Sequence, residues 1–213
     1  MKFFNGHWEK KKGVSVYSPA QIYEWHKTEH ELTFLAPHRE IANRGMTLDG
    51  VVLTFHISVA RESVFHIVVN HYEGVKKKTP SFVVQENLQP LACEETENGF
   101  VLKSGENELQ ITKKPFGMEF FCAGKRMTKM TGEDFSYIRT GDSGVLLYEE
   151  QAEASYMRGA TGLSVGEMIY GLGEQFGPFV KNGQSIDMWN EDGGTSSELA
   201  YKNVPFYLSN RGY

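Results

Sequence analysis

From Val51 to Tyr72 the chain alternates between apolar and polar positions. Leu53, Phe55, Ile57 and Val59 are separated by Thr54, His56 and Ser58; beyond Arg61-Glu62, Phe65, Ile67 and Val69 are separated by His66, Val68 and Asn70. A period of two places one set of side chains on one face of an extended strand, whereas the same residues would be scattered around a helix. The pattern predicts an antiparallel hairpin over 51–60 and 63–72 with one buried face.

The flanking segments follow the same logic. Upstream, Val14, Val16 and Tyr17 after Gly13 predict a short strand. Ala20–Trp25 and Glu31–Ala36 predict a second hairpin around the charged turn Lys27–His30, closed by Pro37. Downstream, Asn98-Gly99 precedes Phe100–Lys103, Gly105–Asn107 precedes Leu109 and Ile111, and Phe116–Cys122 runs into the hairpin-type turn Ala123-Gly124-Lys125-Arg126. Turn signals at about 8–12-residue spacing, without amphipathic helical segments between them, predict an all-β antiparallel sandwich rather than βαβ units. Brief helical turns are expected at Gly132–Asp134 and within Glu149–Arg158. No linker or repeat divides the sequence, so residues 1–213 are read as a single β-sandwich domain.

Composition narrows the possible partners. The 213 residues are 40% hydrophobic and 13% aromatic, which is ordinary for a globular chain, and carry a net charge of −5. Nucleic acid is therefore not an expected partner, since phosphate binding requires clustered excess Lys and Arg. Lys10–Lys12 and Lys76–Lys78 lie beside Gly13 and Pro80 and read as solvated loop tips. Cys93 and Cys122 form no CxxC, and no Asn-x-Ser/Thr sequon, secretory leader or membrane-length apolar run occurs. These features predict a cytoplasmic protein without a membrane partner, metal or cofactor.

Candidate chemistry gathers in Tyr170–Tyr213. Gly171, Gly173 and Gly177 superficially suggest a dinucleotide loop, but the third glycine falls one position late and no helix-forming run follows. A backbone bend after a strand at Met168–Tyr170 is the expected use of these glycines. Among the seven histidines, His56 and His66 lie on the predicted hairpin and are candidates for a facing acid/base or metal pair, although no third ligand has a recognisable spacing. In Trp189-Asn190-Glu191-Asp192-Gly193-Gly194, Asp192 is a normal turn former. Yet an indole platform beside two carboxylates also suits a sugar, whose ring has an apolar face and whose hydroxyls donate to carboxylates.

These residues also carry a resemblance. Tyr170-Gly171-Leu172-Gly173-Glu174, Trp189-Asn190, Asp192-Gly193-Gly194-Thr195-Ser196, Ala200-Tyr201-Lys202-Asn203, Pro205-Phe206-Tyr207 and Asn210-Arg211-Gly212-Tyr213 together resemble family 31 glycoside hydrolases, most of all the bacterial α-xylosidases. Asn5-Gly6-His7-Trp8, the hairpin region containing Phe55 and His71, and Lys103-Ser104-Gly105 extend the likeness along the chain. The resemblance implies a galactose-mutarotase-like N-terminal sandwich preceding a (β/α)₈ barrel. A retaining mechanism needs a carboxylate nucleophile and an acid/base about 5–5.5 Å apart; the resemblance places both in the barrel, so no catalytic residue is assigned here.

By the same resemblance, the loop around Asp192 enters the barrel pocket and Asp192 hydrogen-bonds sugar hydroxyls, with Trp189 stacking on sugar or packing the loop. Many members have arginine immediately before this aspartate; Glu191 stands there instead, removing a cation and its five donors. The implied ligand is an α-linked xylose- or glucose-containing saccharide, and the implied partners are the downstream barrel and further copies of the enzyme in a homo-oligomer. The expectation is a fragment, inactive alone, that lacks the sandwich's last strands and the barrel. A stand-alone carbohydrate-binding or mutarotase-like module, using His56 or His66, is the alternative.

Overall fold

The computed structural model describes residues 3–5, 9–71, 89–141, 154–191 and 200–213. Two compact units are present, Lys2–Gly162 and Leu163–Tyr213. In the first, β1 (Phe4–Asn5) pairs with β2 (Glu9–Lys10), and β3 (Val14–Tyr17) follows Gly13. β4 (Glu24–Lys27), β5 (Glu31–Pro37), β6 (Val52–Arg61) and β7 (Val64–Asn70) form a four-stranded antiparallel meander. β8 (Ala92–Thr96), β9 (Gly99–Ser104), β10 (Asn107–Thr112), β11 (Gly117–Cys122) and β12 (Lys125–Thr131) form a five-stranded one. β13 (Phe135–Thr140) lies between β14 (Ala154–Gly159) and β3 in a third sheet. The second unit contains β15 (Ile169–Gly173) paired with β16 (Asn203–Ser209). The fold is an all-β antiparallel sandwich.

The predicted alternation is realised in the core. Leu53, Phe55, Ile57 and Val59 of β6 are buried with Leu32, Phe34 and Ala36 of β5 against Phe100, Leu102, Leu109, Ile111 and Met118 of the five-stranded sheet. Phe55 is fully buried and holds this packing together. Its ring stacks on Phe34 at 4.8 Å, meets Phe116 at 5.1 Å and presents an edge to Phe135 at 5.1 Å. Such offset and edge-on contacts add to the stabilisation from apolar burial.

Side chains tie the sheet margins together. Lys113 Nζ lies 3.9 Å above the Trp25 ring and donates to Glu95 Oε1 at 2.7 Å, while Trp25 Nε1 donates to Glu95 Oε2 at 3.3 Å. Lys27 Nζ reaches the Cys93 carbonyl at 2.6 Å, linking β4 to β8. Lys113 holds the Glu95 carboxyl below the usual carboxylate range.

Both predicted hairpins occur, with one shift: the first begins at Glu24 rather than Ala20. Ala20 and Ile22 instead donate backbone bonds to Pro37 and Lys113, so this segment bridges the margins of two sheets. The turn of β11–β12 has positive φ at Ala123 (48°) and Gly124 (75°), as a type I′ hairpin requires. Gly132–Asp134 is a 3₁₀ turn closed by a Thr131–Asp134 capping box. The helical expectation within Glu149–Arg158 is overturned where it can be seen: Ala154–Gly159 is a strand, because pairing along the whole of β13 satisfies its backbone and outweighs local helix preference. Residues 149–153 and Lys76–Lys78 lie outside the described residues. Among the described residues, no helix is long and apolar enough to cross a membrane.

Beyond β5, His38 fixes the returning chain. Its Nδ1 lies 3.1 Å from the Val51 nitrogen and 3.2 Å from the Val51 oxygen. Burial pushes its pKa below the ordinary 6.5, and nearby Arg39 acts in the same direction. The neutral imidazole, accepting the Val51 N–H, is thus the form the fold favours.

Phe55→Ala is expected to lower unfolding free energy by about 3–5 kcal/mol, read from denaturant midpoints. For His38 the unfolded chain binds the proton more readily, so its contribution is complete above about pH 6.5 and is lost as pH falls through the lower folded value. Denaturation curves across this window should weaken on acidification, and His38→Asn should flatten that slope.

Candidate functional site

The loop singled out by sequence emerges from the β15–β16 pair. Ile169, Tyr170 and Gly171 pair with Ser209, Leu208 and Tyr207, and then Gly173 pairs with Asn203. Leu172 of β15 thereby lies opposite three residues of β16, Val204, Pro205 and Phe206, and Pro205, which has no N–H to donate, sits within the bulge. Gly171, Leu172 and Gly173 all have positive φ: 109°, 70° and 89°. A Cβ on Gly171 would lie 2.6 Å from the Phe206 oxygen, and one on Gly173 only 2.2 Å from that of Lys202. The expected glycine bend is therefore present, but inside the strand rather than after it. Close backbone approach explains it.

Asn203 organises the loop's base. Its backbone N–H donates to Asn190 Oδ1 at 3.0 Å. Its side-chain amide reaches the carbonyls of Trp189 (2.9 Å) and Ala200 (2.8 Å) and Asn190 Oδ1 (3.1 Å). Gln175 Nε2 donates to Asn203 Oδ1 and to the Leu172 carbonyl at 3.1 Å. The Glu191 N–H donates to Ala200 O at 3.1 Å, and Asn190 forms a parallel bridge with Ala200. Trp189 is 73% exposed beside an open hollow of about 540 Å³ lined by Met188, Asn190, Asn203 and Pro205. Glu191 is exposed. Asp192 lies outside the described residues.

Glu167 anchors the far end of the strand pair. It accepts from the Ser164 N–H at 2.7 Å and from the hydroxyls of Ser209 and Tyr213, with Arg211 Nη1 at 3.8 Å. Burial opposes its charge, but these three hydrogen bonds and Arg211 outweigh it and hold the carboxyl below the usual range. The carboxylate is committed to structure.

The two hairpin histidines do not face one another directly. His56 opposes Val68, while His66 opposes Ser58, which in turn opposes Glu31. His56 Nδ1 lies 3.1 Å from Glu31 Oε1, and Thr33 Oγ1 donates to the same oxygen at 2.8 Å. Burial raises the Glu31 pKa, but these hydrogen bonds and the charges of His56 and His66 bring it below the usual value. Among the described residues, no group of three or more His, Cys, Asp or Glu could hold a metal ion. The signals for Asn203, Gln175 and Glu167 were absent from sequence patterning because amide and carboxylate clamps have no fixed spacing.

The chain belongs to glycoside hydrolase family 31: residues 54–213 match the model of the glycosyl hydrolase 31 N-terminal galactose mutarotase-like domain. Over its whole length it is 35% identical to α-xylosidase XylQ of Lactiplantibacillus pentosus and 36% identical to an α-xylosidase of Emericella nidulans. It spans 27% and 29% of the length of those relatives. Among solved structures, the family 31 dextranase of Flavobacterium johnsoniae complexed with glucose aligns over 90% of this chain and 21% of its own, with TM-score 0.64 and 18% identity. The cycloalternan-forming enzyme of Listeria monocytogenes, in complex with a pentasaccharide substrate, aligns over 92% and 17%, with TM-score 0.66 and 13% identity. These two establish likeness of fold.

Asn203→Ala should lose about 1–3 kcal/mol by removing the side-chain donor to the Trp189 carbonyl and one of the two donors to the Ala200 carbonyl. Hydrogen exchange should show reduced protection at the Glu191 and Glu174 amides, with Ile57 unchanged. Undiminished protection at Glu191 would contradict the clamp.

Proposed function

We propose that this chain is the N-terminal β-sandwich of a retaining α-glycosidase that releases terminal α-xylosyl residues. The observation that carries this reading is identity of 35–36% to two α-xylosidases across the entire chain. The nucleophile and acid/base belong to a downstream (β/α)₈ barrel, and this chain alone is inactive. Its contribution is the loop between Glu191 and Ala200, in which Asp192 accepts hydrogen bonds from sugar hydroxyls near the cleavage point. Glu191 alters the preference for the leaving-group sugar, and Trp189 offers its exposed indole at the pocket margin.

The closed base made by Asn203 supports this assignment, because a substrate-contacting loop needs fixed ends to hold its side chains in position. The second unit also exposes Phe206, Tyr201 and Val204, which suit packing on the barrel. Copies of the intact enzyme associate as a homo-oligomer, and it works in the cytoplasm. A stand-alone mutarotase-like reading finds less support: His56 and Glu31 are hydrogen-bonded to each other, whereas acid and base must both address the sugar.

The test uses the full-length enzyme on an aryl α-xyloside and an aryl α-glucoside. Faster turnover of the xyloside is expected, and preference for the glucoside would overturn the substrate assignment. Asp192→Ala should lower kcat/KM on xylosyl disaccharides by about 10–150-fold, corresponding to loss of roughly 1.5–3 kcal/mol from a charge-assisted hydrogen bond. Unchanged disaccharide kinetics would remove Asp192 from the site.

A further inference from the structure

A cleft of about 690 Å³ opens in the first unit where the chain passes from β5 to β6. Its size is that of a small-molecule site. The wall is a built structure. Arg39 Nη2 donates to the Met46 carbonyl at 3.3 Å and to that of Asp49, and Thr47 Oγ1 closes the 3₁₀ turn Arg44–Thr47 onto the Arg44 carbonyl at 2.7 Å. His38 fastens the end of this segment to the sheet through Val51. Gly50 lies so close that a Cβ there would be 2.8 Å from His38 Cε1, and its φ of 145° favours glycine. The cleft is preformed, which limits the ordering cost of occupancy.

Its chemistry selects the ligand. Arg39 and Arg44 are balanced by Glu24 and Asp49, and burial keeps His38 neutral, so the lining favours neither an anion nor a cation. The charged groups instead offer donors and acceptors around apolar wall residues such as Ile41 and Met46. Tyr23 stands at this cleft with its side chain partly exposed, giving a flat apolar ring with a hydroxyl at its tip. Asn43 precedes the 3₁₀ turn but makes no side-chain cap bond, leaving an amide that both donates and accepts. Arg39 Nε, although buried, has no hydrogen-bond acceptor among the described residues. A neutral ring with an apolar face and a rim of hydroxyls matches this combination.

The geometry points to a saccharide site in this cleft, taking a short neutral oligosaccharide through Tyr23 and Asn43. It draws on the glycosidase reading only for the choice of probes.

The test is calorimetric titration of the 213-residue chain with isomaltotriose, with the xylosyl disaccharide isoprimeverose and with inorganic phosphate. Saturable binding of at least one saccharide, with Kd below about 10 mM, is expected. Tyr23→Ala and, independently, Asn43→Ala should each weaken it at least about tenfold while the thermal midpoint stays near that of the unmodified chain. Phe179→Ala, which removes an exposed aromatic elsewhere, should leave the affinity unchanged. Absence of saturable saccharide binding, affinity insensitive to both cleft variants, or binding of phosphate in place of saccharide would each overturn the site. If the full-length enzyme hydrolyses neither aryl glycoside while the chain binds saccharide through Tyr23, the catalytic reading fails and the cleft remains.

Discussion

The structure depends on sealing two apolar sheet faces against each other. Phe55 sits where that constraint is tightest, in contact with rings from β5, from the segment before β11 and from β13. Antiparallel strands can satisfy their backbone groups with neighbours and still leave one face for such packing. The strict alternation of β6 follows, because a register slip of one residue would turn His56 and Thr54 inward. The margins are closed by longer side chains: Lys113 gathers Trp25, Phe100 and Glu95, covering apolar rings with its stem and charge.

The smaller unit uses a different means of support. It contributes Ala200 to the buried apolar residues while exposing several large ones, and its strand pair is held by polar side chains at both ends. Asn203 gathers carbonyls at one end, and Glu167 gathers hydroxyls and a backbone N–H at the other. Each replaces several separate ladder bonds by a single branching group. Such hubs are effective because leaving a clustered carbonyl or buried carboxylate unpaired costs more than an average hydrogen bond contributes.

The sequence made the sandwich legible because its strands are amphipathic and its turns carry glycine or asparagine. The 52–61 and 64–70 hairpin and the type I′ turn at Ala123-Gly124 are direct consequences of those local rules. The rules fail where tertiary pairing decides. Ala154–Gly159 contains residues acceptable to a helix, yet β13 supplies partners for its extended backbone. At the site, the exposed position of Trp189 was compatible with its sequence setting, whereas the convergence of Asn190, Asn203 and Gln175 depends on a bulge of unequal strand lengths. His56 and His66 were correctly placed on one hairpin, but Glu31 comes from the neighbouring strand and its intervention requires the three-strand register.

The Asn203 clamp also bears on how the sequence between Glu191 and Ala200 can vary. Glu191 and Ala200 are joined by a backbone bond and Asn203 holds both flanks, so the end of the strand pair is closed by residues on either side of 192–199. Insertions and exchanges there change loop-closure entropy only slowly with length. Changes of length or composition between these two ends can therefore accumulate while the clamp that closes the strand pair is inherited unchanged.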